Sequence, residues 1–144
     1  MWRLEEHTAD VCLVVEGRGW SGLLEEAAAA YGAWSAGEDL APAAPREERA
    51  LAVEGRDAVE AWVAWWRALH RLWTVEERLA VAARIEPGAL PALSRARIDC
   101  VPAAALAEGA LVDAKAVTWH RAEAAPILPG APEGDWRGRV VIDL

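Results

Sequence analysis

The sequence predicts an α+β fold, with largely antiparallel β-sheets and two principal α-helices in a single domain spanning 1–144. Two stretches carry apolar residues at helical spacing, Ser21 to Trp34 and Asp57 to Trp73. Short segments between turn residues alternate or run apolar as strands do, giving the order ββαβαββββ. Consecutive strands late in the chain favour antiparallel pairing, and the helices are too few for a doubly wound sheet. A chain of 144 residues is long enough to bury a core without cross-links.

Trp2 to Leu4 and Val11 to Glu16 read as strands around the polar, turn-compatible Glu5-Glu6-His7-Thr8-Ala9-Asp10. Between Ser21 and Trp34, Leu23, Leu24, Ala27, Ala28 and Tyr31 share one helical face. Ser35 to Pro45, with Gly37, Pro42 and Pro45, reads as a loop, and Arg49 to Val53 as a strand ended by Gly55. Asp57, with Glu60 three residues on, forms an N-cap pair of the capping-box kind. Val59, Trp62, Val63, Trp66, Leu69, His70 and Trp73 follow at spacings of three and four. Trp65 and Leu72 add a second stripe, so neighbours should cover this helix on more than one side. Four tryptophans here could be base-stacking platforms. Core packing explains them better, because the chain has no Phe and must fill its interior with Trp and Leu. Leu79 to Ile85, Leu93 to Val101, Ala116 to Ala124 and Trp136 to Asp143 complete the strands. Pro87, Gly88 and Pro91 mark the first of their turns, and Pro126 to Gly134 the last connection.

Composition narrows the function classes. With 54% hydrophobic and 26% charged residues the chain reads as an ordinary soluble globule. No apolar run approaches the roughly 20 residues of a membrane span. The start, MWRLEEHTAD, is too acidic and mixed for a secretory signal, so a cytoplasmic protein with no membrane partner is expected. Cys12 and Cys100 lack metal-ligand spacing and sit beside aliphatic residues, which favours buried, reduced thiols; a disulfide between them is not required. A net charge of -8 leaves no electrostatic footprint for tight, direct nucleic-acid binding. The pairs Arg95/Arg97 and Arg137/Arg139 occupy alternate strand positions facing solvent. Gly17-Arg18-Gly19-Trp20-Ser21-Gly22 matches the dinucleotide-binding glycine pattern, and Asp39 lies near the distance of a ribose-binding acid. The Ala/Pro loop that follows the helix supplies no prompt second parallel strand, so these glycines read as a strand-to-helix turn.

Some residues invite a chemical reading. Lys115 is the only lysine, beside fourteen arginines, and lysine offers a compact point charge that a planar guanidinium does not reproduce. Asp10 lies just before one strand and Asp143 at the end of another. Were those strands neighbours, the two carboxylates and the main-chain carboxylate of Leu144 would offer hard oxygen donors for Ca2+, Mg2+ or Mn2+. Taken alone, the same residues read more readily as a turn cap and solvated charges, since turn aspartates are commonplace. No Ser-His-Asp order, Cys-His pair or phosphate-binding loop supports independent catalysis.

Three short segments carry a resemblance: HTAD at 7 to 10, KAVTWH at 115 to 120 and VVIDL at 140 to 144. Together they resemble the archease family, with LLEEAAAAYGAW and VEAWVAWWRALHRL similar to its two helices. Trp119 departs from the family's usual Tyr or Phe. The resemblance implies a protein cofactor that activates an RtcB-type RNA ligase in tRNA splicing and RNA repair, promoting guanylylation and multiple turnover. It implies no stand-alone enzyme. It also implies a divalent metal site, Ca2+ first with Mg2+ or Mn2+ as alternatives, on Asp10, Asp143 and Leu144, and a functional basic residue at Lys115. His7 stays open as a polar site group, an orienting residue or a turn residue. His120, on a strand opposite in face to Trp119, reads more readily as structural, and His70 as core or interface packing. Two other readings compete: a general chaperone or modulator of RNA-processing proteins, and a small metal-dependent hydrolase.

Overall fold

Two antiparallel sheets share one hydrophobic core, and each of the two helices packs against strands of both. The computed structural model describes residues 1–6, 10–37, 46–106 and 114–144. In chain order the elements are β1 (Trp2–Glu6), β2 (Asp10–Arg18), α1 (Gly19–Ala36), β3 (Glu47–Val53), α2 (Ala58–Thr74), β4 (Arg78–Ile85), β5 (Ser94–Pro102), β6 (Ala116–Pro126) and β7 (Asp135–Asp143). One sheet has the order β1-β2-β7-β6 and the other β3-β5-β4. The predicted class and element order hold, with ends shifted by a few residues. His7 to Ala9 of the first turn and 38–45 of the predicted loop lie outside the described residues.

The period of two along each strand sorts the faces. Leu13, Val15, Val140 and Ile142 point into the core, while Cys12, Val14 and Val141 form a small separate cluster on the other face of the four-stranded sheet. Both cysteines are free and buried, on strands of different sheets. The glycine pattern is indeed a turn. Gly19 adopts φ 66, a Cβ on Gly17 would stand 2.5 Å from the Gly22 carbonyl carbon, and both neighbours of β2 run antiparallel to it.

Helix α2 is the centre of the core. Trp62, Trp65, Trp66, Leu69 and Leu72 are fully or almost fully buried, which is why the helix has two apolar stripes. Buried indoles usually find acceptors for their N–H groups, although Trp66 Nε1 has none among the described residues. Trp62 donates to the Arg139 carbonyl at 2.9 Å, Trp65 to that of Leu24 at 3.1 Å, and Trp20 to Ser94 Oγ at 2.8 Å. Asp57 caps α2 by accepting the Glu60 N–H at 2.8 Å. The Glu60 carboxylate accepts from Arg56 Nε at 2.9 Å, so only half of a reciprocal capping box forms. His70 is half-buried, its Nδ1 2.9 Å from the Tyr31 hydroxyl.

Strand β6 corrects one expectation. Its register against β7 runs from Ala116↔Asp143 to Thr118↔Val141 and resumes only at Glu123↔Arg139. Residues 119 to 122 therefore oppose a single residue, Val140, in a wide bulge where Arg121 takes φ 53. Simple alternation would put Trp119 and His120 on opposite faces, but in the bulge both are exposed. The Arg67 guanidinium of α2 donates to the Val117 carbonyl at 3.3 Å and lies 5.6 Å from the Trp119 ring centre, holding that indole on the helix side.

Candidate functional site

The second and the last strands of the chain meet in the middle of one sheet. Strands β2 and β7 pair along their whole length, and the register sets Asp10 directly opposite Asp143. Residues opposite one another in an antiparallel pair put their Cβ atoms about 4.5–5.5 Å apart on the same face. By alternation from Val11 and Ile142, whose side chains are buried, that face is the outer one. Ala116 stands across from Asp143 on its other side, and the Lys115 N–H donates to the Asp143 carbonyl at 2.8 Å. Segments distant in sequence thus arrive at one end of the sheet through main-chain pairing alone, whatever side chains they carry.

Asp10 is half-buried, and its Oδ1 is buried with no hydrogen-bond partner among the described residues. Leaving a polar atom in that state costs about 1–3 kcal/mol, and more if the group is charged. Two carboxylates at this separation also repel, which a cation placed against them would relieve. Asp143 and Lys115 are exposed, and Leu144 follows β7 with 41% of its surface open. One step along β2, Cys12 lies under the same field. Burial pushes its thiol up, with Arg139 and Arg3 opposing and Glu5 and Asp10 adding to the rise. Cross-strand ion pairs hold this face in register: Arg137 binds Glu16 at 2.8 and 2.9 Å, and Arg139 binds Glu5.

The structure therefore brings together Asp10, Asp143, Leu144 and the main chain of Lys115. His7 lies outside the described residues. His120 does not join them, because the bulge carries it beyond Thr118 and away from that register row. Among the described residues no three His, Cys, Asp or Glu side chains stand close enough to hold a metal ion, so two carboxylates would need a further donor. No helix is long and apolar enough to cross a membrane. The sequence reading missed a groove of ≈ 470 Å³ beside Trp119, between α2 and the end of β3. Its one signal was Arg67, a charge set in the Trp/Ala-rich helix beside the apolar stripe.

The profile of the archease protein family (MTH1598/TM1083) matches residues 2–144. The solution structure of Methanobacterium thermoautotrophicum protein 1598 is similar over 99% of this chain and 98% of that one, with a TM-score of 0.71. At 20% identity that likeness speaks for the fold alone. No curated protein matches the chain. With the fold, the three short segments and a family match over nearly its whole length in agreement, the chain belongs to the archease family.

Proposed function

We propose that this protein is an accessory factor that activates an RtcB-type RNA ligase, promoting ligase guanylylation and multiple turnover, and that it acts in the cytoplasm without catalysing a reaction of its own. Family membership supports the class of role, and the Asp10/Asp143 register pair, tied through its main chain to Lys115, is the observation that carries the reading. The residues fit a divalent cation: an orphaned, buried Asp10 oxygen, a second carboxylate opposite it, and a main-chain oxygen of Leu144 as the third donor. An all-oxygen set of this kind suits Ca2+ first, with Mg2+ or Mn2+ as alternatives. When bound, the ion supplies positive charge able to hold a phosphate or a carboxylate of the partner.

The chain's own groups do the rest. Asp10 and Asp143, fixed on paired strands, present their carboxylates in one orientation at little entropic cost, since the sheet has already ordered both main chains. Lys115, whose N–H bonds the Asp143 carbonyl, belongs to the same end of the sheet, and its compact cation would suit negative charge that grows on a phosphoryl group during guanylyl transfer. The overall charge of -8 suits a helper that approaches a basic, RNA-handling enzyme and leaves the RNA to it. The test is turnover of an RtcB-type ligase with this protein at a tenth of the ligase concentration. More ligations per ligase molecule, lost in Asp10→Asn, are expected. Micromolar or tighter RNA binding by this protein alone, with no effect on ligase turnover, would refute the role.

A further inference from the structure

The geometry points to a second contact surface, the groove between α2, the end of β3 and Trp119, as the docking site for a short partner segment that carries an apolar anchor next to a carboxylate. Trp119 is 49% exposed although it is the largest side-chain type in the chain, and its position is held rather than loose. Arg67 lies over its ring at 5.6 Å while bonded to the Val117 carbonyl, so the indole is presented by a rigid bulge instead of a mobile side chain. The floor between Trp119 and the helix is small and apolar, made by Ala64, Ala68 and Val53, and the cavity volume of ≈ 470 Å³ admits a leucine- or phenylalanine-sized group.

Charge names the neighbour of that anchor. Many of the surface arginines are committed to carboxylates, among them Arg84 and Arg97 to Glu48, Arg78 to Glu47 and Arg137 to Glu16. Arg67 and Arg71, one turn apart on α2 and both lining the groove, have no ion-pair partner among the described residues. The Arg71 guanidinium, which makes no side-chain hydrogen bond among the described residues, suits a carboxylate that it can engage through two N–H groups, and the Arg67 charge, held by the Val117 carbonyl, adds to the attraction. Glu54 and Glu60 also line the groove, and although Glu60 is paired with Arg56 at 2.9 Å, the Glu54 carboxylate disfavours a continuous phosphate chain. With a net charge of -8 over the chain, a peptide is the better occupant than a single-stranded RNA stacked on Trp119. This surface is separate from the Asp10/Asp143 end of the sheet and could serve whichever enzyme the protein assists.

A random peptide library displayed on phage and panned on the full chain tests this directly, with the best binder resynthesised and titrated by fluorescence anisotropy. Enriched sequences should place Asp or Glu within three positions of an aliphatic or aromatic residue. Their affinity should fall at least tenfold against Trp119→Ala and against Arg71→Glu, and recover in Trp119→Phe. Both positions are exposed, so thermal unfolding of the variants should match wild type, and either variant alone suffices if the other fails to fold. No enrichment, or equal affinity for both variants, overturns the proposal. Tighter binding of a ten-nucleotide oligouridylate than of any peptide, lost in Trp119→Ala, overturns it in favour of a nucleic-acid surface.

Discussion

Adding a single methyl group at Gly138 tests the packing that holds β7, and with it Asp143, against helix α2. A Cβ at this position would meet the Trp62 indole, 2.6 Å from Cε2 and 2.8 Å from Cη2, where ordinary contacts begin at 3.4 Å. Trp62 has little room to retreat. It is fully buried, its N–H is bonded to the Arg139 carbonyl at 2.9 Å, and it packs edge-on against Trp66 with ring centres 5.5 Å apart. Cζ2 lies nearer still, so relief needs a shift of roughly 1 Å in an interior packed like a crystal. Overpacking of that kind costs about 1–3 kcal/mol. If the shift breaks the Trp62 hydrogen bond, a buried donor adds about 1–3 kcal/mol more. We therefore expect Gly138→Ala to lose about 3 kcal/mol, a large share of a typical stability of about 5–15 kcal/mol. Backbone entropy alone argues the other way, by about 0.5–1 kcal/mol in favour of alanine, so the sign of the result decides which effect wins. Urea unfolding followed by circular dichroism gives the value. In Trp62→Leu, which opens space at the same contact, the added methyl should be nearly neutral, giving a coupling of about 2 kcal/mol or more. A neutral Gly138→Ala, or strict additivity in the double variant, would refute the reasoning.

Asp57→Ala should destabilise the fold by about 1 kcal/mol through loss of the α2 cap, with Asp57→Asn much closer to wild type in the same urea titration. Burial pushes the Cys100 thiol from 9.0 to about 11, so the unfolded chain loses that proton first as pH rises. Stability should then fall between pH 9 and about 11 by up to about 1.4 kcal/mol per pH unit, and Cys100→Ala should flatten that window. An identical slope in the variant would exclude the thiol as its source. Lys115→Arg and Lys115→Ala should both fold within about 1 kcal/mol of wild type, since an exposed side chain is changed. Both should lose most ligase activation, and full activity of Lys115→Ala would demote the lysine to a surface charge. Ca2+ at about a hundred times its dissociation constant should stabilise the wild type by about 2.7 kcal/mol in thermal unfolding. Asp10→Asn and Asp143→Asn should abolish that response, and its survival in both would remove the proposed ion site.

Local signals in the sequence translated directly into structure. The Asp57/Glu60 spacing gave the α2 cap, and the double stripe of Trp62, Trp66, Trp65 and Leu72 foretold a helix covered on more than one side. Both depend on neighbours within a turn or two of helix. The facing of Asp10 and Asp143 was legible only on the condition that their strands pair, because residues at opposite ends of a chain leave no periodic trace of their register. The division into sheets of four and three strands was not legible at all, since every strand is apolar on one side whichever sheet it joins. Nor was the β6 bulge. KAVTWH alternates well enough to pass for a plain strand, and the Arg67 contacts to the Val117 carbonyl and the Trp119 ring come from a helix some fifty residues earlier in the chain.

The most direct measurement is the rate at which a purified RtcB-type ligase becomes guanylylated by radiolabelled GTP, with and without this protein. Wild type at saturating concentration should raise that rate at least tenfold. Asp10→Asn, Asp143→Asn and Lys115→Ala, each shown to be folded, should leave it near the unassisted level. An unchanged rate with wild type, or full stimulation by all three variants, would contradict the assignment of this carboxylate–lysine end of the sheet as the activating site.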